Sequence, residues 1–407
     1  MNYQQMEKVC RASASLSVQF LERFYFEFVA KHENLDRVIT KKLLAYRHVI
    51  ETMPPEWPMM MTGQLIAHSI FKTSGYAAKY VQQPEVRERD RNELDMLRYH
   101  IQNPWRYSFC KIEEDESEHI HRMKDIVTEE RFLLYSPAVT KYMSKSEGIS
   151  GFLMLISSNG VCKETYGPVF PFRMLLPMDI WYLAKQFSSH VHTTGDVMSI
   201  IEARPEIFLM MTVIGHVPAV YNKRNLLIRA HSDFHVDAFN PLELRNAFSI
   251  REKQGVYEMS LKRWSSFPHF AIGYYDPGRN RLILNSLTER GYERLIDAFR
   301  TAGFNVPAEP DEMASPVMVE LADSILGRRR KDKYEKMFAP PPPSKSDQEQ
   351  LDRMNSFMGL LVDAINENRP YDLSHIAEVS GVDIEFARHA EELVLEKIGS
   401  RTRKTKQ

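Results

Sequence analysis

Four polar residues at alternate positions, His231, Asp233, His235 and Asp237, are the side chains in this sequence best spaced to do chemistry together. On a β-strand all four project from one face. Two imidazoles and two carboxylates suit a divalent metal that accepts mixed nitrogen and oxygen ligands, such as zinc, manganese or iron. Such an ion acidifies a bound water for hydrolysis. Same-face neighbours on a strand stand about 7 Å apart, so one strand gives two ligands to one ion and the rest must come from elsewhere. His190, His192 with Asp196, and His216 are the nearest donors in sequence. No cofactor is expected from the sequence as a whole; a divalent metal is the one these residues would admit. The competing expectation is a polar strand edge whose Phe234 and Val236 face the core.

Other chemistries find no support. The GxSxG, GxxxxGK(S/T), HExxH and strand-linked GxGxxG patterns are absent. His190-Val-His192 resembles the HxH start of polymerase-and-histidinol-phosphatase phosphoesterases, and Asp233-Phe-His235 resembles the first DxH motif of calcineurin-like phosphoesterases. The later GDxxD and GNH(D/E) motifs of the second family are missing, and HVHTT lies between helices, so neither family is assigned. Cys10, Cys110 and Cys162 stand far apart with no CxxC pair, so neither a zinc ribbon nor a dithiol redox motif is expected. Each is expected as a small core residue, and the sparse count suits a reducing compartment. The acidic run Glu113-Glu-Asp-Glu116 is expected as a solvated loop.

The 407 residues carry 53 basic and 54 acidic side chains, so no global charge favours nucleic acid or an anionic membrane. The N-terminus lacks the basic start and apolar run of a secretion signal. The longest uncharged stretch, 207–222, contains His216 and Pro218 and falls short of the roughly 20 apolar residues of a spanning helix. A cytoplasmic protein without membrane contact is expected.

Periodicity supplies the elements that must position these residues. Leu16, Phe20, Leu21, Phe24 and Phe28 share a helical face, with Ser13 and Ser15 offered as caps. A helix is expected over 64–80, after the Met53–Pro58 interruption, and another after Pro84. Strands are expected over 107–112, 119–127 and 131–135. Asn159-Gly160 marks a two-residue type I′ hairpin turn. Helices return over 177–215, broken at Pro205, followed by a strand over 225–237. Tyr257, Met259 and Leu261 alternate as a half-buried strand. Ser286–Glu289 reads as a capping box before a helix facing inward through Tyr292, Leu295, Ile296 and Phe299. Ser315 caps a further helix. Arg328–Lys333 and the prolines 340–343 form a stiff, solvated spacer. The segment 372–387 has a helix-turn-helix rhythm, but its second helix offers Glu385, Glu391 and Glu392, which repel phosphate, and Arg401, Arg403, Lys404 and Lys406 lie on the tail.

The expected fold is α+β. It comprises a helical N-terminal domain (1–104), a small β-rich unit (105–175), and an α/β core domain with an antiparallel sheet and backing helix (176–335). A proline-rich linker (336–346), a helical module (347–400) and a basic disordered tail (401–407) follow. The leading functional expectation is an interaction or regulatory protein that acts through its helical domains on a protein partner. A metal-dependent hydrolase using strand 231–237 is one alternative. A nucleic-acid-associated factor using the C-terminal helices is the other.

Overall fold

Asn2 starts the first helix, because its side chain accepts the Gln5 N–H at 2.9 Å while Gln5 accepts the Asn2 N–H at 3.3 Å. Helix α1 (Tyr3–Ser17) thus begins well before Ser13 and Ser15, which lie inside it instead of capping it. The computed structural model describes residues 2–236, 239–253, 255–264, 268–328, 345–367 and 369–404. The proline run, Asp237 and most of the 328–333 basic run lie outside these residues. The architecture is α+β, and the chain divides into two compact units, Met1–Arg329 and Arg330–Gln407.

A π-helical stretch, Val18–Tyr25, continues α1 into α2 (Phe26–Glu33). Then come α3 (Leu35–Leu44), α4 (Arg47–Ile50), α5 (Trp57–Phe71), α6 (Ala77–Tyr80), α7 (Pro84–Arg87) and α8 (Arg91–Gln102). The helix expected over 64–80 is two helices. Pro58 sits in the first turn of α5, where its missing N–H has no partner to lose. The break falls at Gly75, where a Cβ would meet the Ile70 carbonyl oxygen at 2.5 Å.

Asn103-Pro104 is where helix gives way to strand, and packing continues across it. Strands β1 (Arg106–Asp115), β2 (Ile120–Asp125) and β3 (Arg131–Tyr135) lead to helix α9 (Pro137–Lys145). Strands β4 (Gly151–Ser158), β5 (Lys163–Thr165) and β6 (Phe170–Phe172) follow. The pairings run β1–β2–β3–β5–β4 and return to β1, with β3 and β5 parallel. This closed ring, with a helix between its third and fourth strands, has the topology of an OB-fold barrel. Alternation along β4 divides its side chains between two cores. Phe152, Met154 and Ile156 fill the barrel with Cys110, Met123, Leu134 and Val139. Leu153 and Leu155 join Tyr107, Phe109 and the N-terminal helices outside it. The Asn159-Gly160 turn is a four-residue connection, not a type I′ pair, because Asn159 Oδ1 accepts from both the Val161 and Cys162 N–H groups at 2.9 Å.

Helices α10 (Pro177–Phe187), α11 (Thr194–Ala203) and α12 (Pro205–Leu209) precede the short pair β7 (Tyr221–Asn222) and β8 (Asn225–Leu226). The second large sheet is wholly antiparallel. It contains β9 (Arg229–His235), β10 (Phe248–Lys253), β11 (Val256–Leu261), β12 (Ala271–Asp276), β13 (Arg281–Ser286) and β14 (Glu312–Ala314), in the order β10-β11-β12-β13-β9-β14. Helix α13 (Glu289–Thr301) backs it with the four expected residues buried. Its cap is Thr288, which accepts the Gly291 N–H at 3.0 Å, and Ser286 remains in the strand. Helix α14 (Pro316–Ile325) starts at Ser315, as expected. Asp179 ties it to α10 by accepting the Ser315 N–H at 2.7 Å and hydroxyl at 2.9 Å.

The second unit contains α15 (Lys345–Asn366), α16 (Leu373–Ser380) and α17 (Ile384–Lys404). Phe357, Leu361, Ala377, Ala387 and Ala390 form its core, and Gly381 makes the left-handed turn between the last two helices.

Among the described residues, no helix is long and apolar enough to cross a membrane. In the first unit, the Tyr107 hydroxyl is buried without a hydrogen-bond partner among the described residues. An unmade buried hydrogen bond costs about 1–3 kcal/mol. Tyr107→Phe is therefore expected to leave the thermal midpoint unchanged or raise it. A clear fall in the melting curve would show that the hydroxyl has a partner.

Candidate functional site

Strand β9 has the expected alternation. Ala230 and Phe234 pack into the core, Ser232 bonds the Tyr292 hydroxyl at 2.6 Å, and His231, Asp233 and His235 lie on the more exposed face. Their polar atoms already have partners. Arg281, across the ladder, donates from two nitrogens to both Asp233 oxygens, with Nη2 to Oδ2 at 2.7 Å. His231 Nδ1 meets Asn285 Oδ1 at 2.7 Å, and donates because an amide oxygen only accepts. A guanidinium locked onto the central carboxylate opposes a divalent cation there.

Among the described residues, the other histidines do not complete a metal set. Asp196 Oδ2 accepts the His192 N–H at 3.0 Å and the Thr193 N–H at 2.8 Å, so this HVH segment with its aspartate is the capped start of α11. His190 and His216 are exposed. Among the described residues, the one set of three His, Cys, Asp or Glu ligand atoms within 4.8 Å is Glu7, Glu118 and His119. Arg11 holds Glu7 at 3.2 Å there.

A different cluster lies where α1 crosses the barrel. Tyr3, Met6, Cys10 and Ala14 pack on Ile120 of β2, on Leu133 and Tyr135 of β3, and on Val161 and Cys162 of the β4–β5 turn. Cys10 and Cys162, 152 positions apart, bring their sulfurs to 3.3 Å. Both are buried free thiols. All three cysteines are buried core residues, as expected: Cys110 lies inside the barrel, and Cys10 and Cys162 also meet each other.

The surroundings favour one thiolate. Asn159 Nδ2 donates to Cys10 Sγ at 3.3 Å, and when Cys10 is the thiolate Cys162 donates its own S–H to the same sulfur. These donors outweigh burial and hold the Cys10 thiol down at about 7, while its hydrogen bond to Cys10 and burial push Cys162 up. Glu164 lies two residues beyond Cys162, where a strand returns a side chain to the same face. Burial, then the Cys10 charge, pushes its carboxyl up to about 7.

A hydrogen-bond chain orients that carboxyl. The Trp105 indole N–H donates to His100 Nδ1 at 3.1 Å. Neutral His100, its pKa driven down to about 4 by burial, then carries its proton on Nε2 and donates to Tyr166 Oη at 3.3 Å. Tyr166 in turn donates to Glu164 Oε2 at 3.4 Å, and Ser13 approaches the same oxygen at 3.5 Å. Trp105 stacks on Tyr166 with centroids 3.9 Å apart, which fixes the phenol.

No protein-family model, no curated protein and no solved structure matches this chain. The sequence signal that could have marked the site was Cys162-Lys-Glu164 beside the Asn159-Gly160 turn. Nothing in the sequence joins it to Cys10.

Glu164 has a raised folded-state pKa, so the stability tied to its proton is complete below about 4.5 and is lost as pH rises through about 7. At 1.36 kcal/mol per pH unit, this amounts to about 3 kcal/mol. Glu164→Gln should flatten the stability–pH curve in that window. An identical slope in denaturant melts of both proteins would rule out a buried, titrating Glu164.

Proposed function

We propose that this chain is an interaction or regulatory protein whose first helix covers the β2–β3 face of its barrel, and that Cys10 and Cys162 set how firmly the helix is held. The observation that carries this reading is the 3.3 Å approach of two thiols on segments that only the fold brings together. In barrels of this topology, the face of the second and third strands with the β1–β2 and β4–β5 loops is the ligand surface. Here α1 packs on that face and on the β4–β5 turn. A disulfide would fasten the helix there, and two thiols leave it free to open. The cytoplasm, where thiols start reduced, is the compartment this reading requires.

A protein partner is favoured over nucleic acid. Arg122 and Arg131 of β2 and β3 are each paired with glutamates, Arg122 with Glu114 and Glu116 and Arg131 with Glu113. The three-helix module leaves Leu360, Val379 and Leu393 exposed, and Glu385, Glu391 and Glu392 on α17 disfavour phosphate.

Equilibration in dithiothreitol redox buffers, followed by alkylation and mass spectrometry, should show two of the three thiols lost together, at Cys10 and Cys162. Cross-linking over this span stabilises by up to about 5 kcal/mol in the chain-entropy picture, so the oxidised form should melt higher. Cys162→Ser should abolish both effects. Retention of all three thiols under the most oxidising buffer would end the proposal.

A further inference from the structure

The thiol pair has an acid beside it and almost no opening to solvent, and together these select the oxidant. We propose that the site reduces hydroperoxides, with Cys10 attacking the peroxide, Glu164 protonating the departing oxygen and Cys162 closing the disulfide. This rests on the thiol–disulfide reading above and names its oxidant.

Access argues for a small substrate. Cys10 is fully enclosed, and Cys162 is 9% exposed. Thiol–disulfide exchange requires the incoming sulfur to be reached by the attacking thiolate. A bulky tripeptide disulfide reaches an enclosed Cys10 more slowly than the small cyclic disulfide of dithiothreitol, and hydrogen peroxide, close to water in size, reaches it most readily.

The donors are arranged for the first step. Asn159 and Cys162 both donate to Cys10 Sγ, which favours the thiolate, the nucleophilic form. Glu164 Oε2 is approached by Tyr166 and Ser13. Its buried Oε1 has no well-formed hydrogen bond among the described residues. Asn159 also approaches this carboxyl, and a proton held on Oε1, the oxygen that Tyr166 and Ser13 leave, is the one a departing peroxide oxygen would take.

The chemistry balances. The Cys10 thiolate attacks one peroxide oxygen, an S–O bond forms, and the O–O bond breaks. The departing hydroxide takes the Glu164 proton and leaves as water. The Cys162 sulfur then attacks the Cys10 sulfenic acid, S–S forms, S–O breaks, and the hydroxide takes the Cys162 proton as a second water. Two sulfurs each lose one electron, and the peroxide gains two. A dithiol reductant restores the starting state.

The reactive form contains one proton shared between Cys10 and Glu164. The other titratable or charged groups facing them are Glu7 and Arg11 on α1, Tyr135 on β3, and Tyr166. The rate should therefore peak near neutral pH. It falls in acid as Cys10 takes a proton, and in alkali as Glu164 loses one.

The test uses the reduced full-length chain, rapidly mixed with hydrogen peroxide, quenched by alkylation and read by mass spectrometry. Oxidation of the Cys10–Cys162 pair is expected about a hundredfold faster than that of free cysteine at the same pH, the scale of one general acid. Glutathione disulfide should be slower than peroxide. Glu164→Gln should slow the peroxide step about tenfold or more and remove the alkaline limb of the pH profile. Cys162→Ser should stop at a Cys10 sulfenic acid trapped by dimedone, and Cys110→Ser should behave as the parent. A peroxide rate no faster than free cysteine, with the pair still closing in dithiothreitol buffers, would overturn the peroxide assignment and leave the thiol reading standing. Failure to close under either condition removes both. An unchanged Glu164→Gln pH profile overturns the role given to Glu164.

Discussion

Strand β4 is buried on both sides, and the first unit is organised around that constraint. A strand with two apolar faces must be covered twice, because neither face tolerates water. Phe152, Met154 and Ile156 close the barrel interior, while Leu153 and Leu155 anchor the N-terminal helices outside it. The same strand pairs with β1 on one edge and with β5 and β6 on the other. Its exit turn carries Asn159 and Cys162. The candidate site therefore hangs from the most fully enclosed strand of the barrel.

The energetics of the site follow from polar groups placed against that enclosure. A carboxyl removed from water favours its neutral form, and a nearby thiolate strengthens that preference. Glu164 experiences both. The aromatic stack of Phe71, Trp105 and Tyr166 excludes water, and the indole, imidazole and phenol pass hydrogen bonds in one direction toward the carboxyl. A single tautomer of His100 satisfies the chain, so the orientation of Glu164 is set without a charged partner. Local hydrogen bonds thus offset the cost of burying polar groups beside the sulfurs.

The strand that first suggested chemistry shows what spacing leaves out. His231, Asp233 and His235 do share a face, as period-two alternation requires. What spacing cannot supply is the neighbouring strand. The ladder sets Arg281 and Asn285 of β13 against that face, and these residues take up the Asp233 and His231 side chains. Asp196 looked like a metal ligand near two histidines, and its short range to Thr193 makes it a helix cap instead. The errors in element boundaries have a similar cause. Asn2 displaced Ser13 and Ser15 as a cap, and Thr288 displaced Ser286, because several polar residues competed for one helix start and the incoming chain direction chose between them.

By itself the sequence determined whatever is decided within a few residues. It specified the α+β class, the helical stripes, the Ser315 start, the alternation of β9 and β11, and the bend at Asn159-Gly160. Hydrogen bonds, caps and side-chain periods act over one or two turns, so their causes lie beside their effects. The tertiary structure alone decided the closure of the barrel through β1 and β4, the Arg281 partner of Asp233, and the meeting of Cys10 with Cys162. These contacts join segments up to 152 positions apart. They form because β4 must be buried on both faces, and no local pattern in the chain encodes which distant segments do the burying.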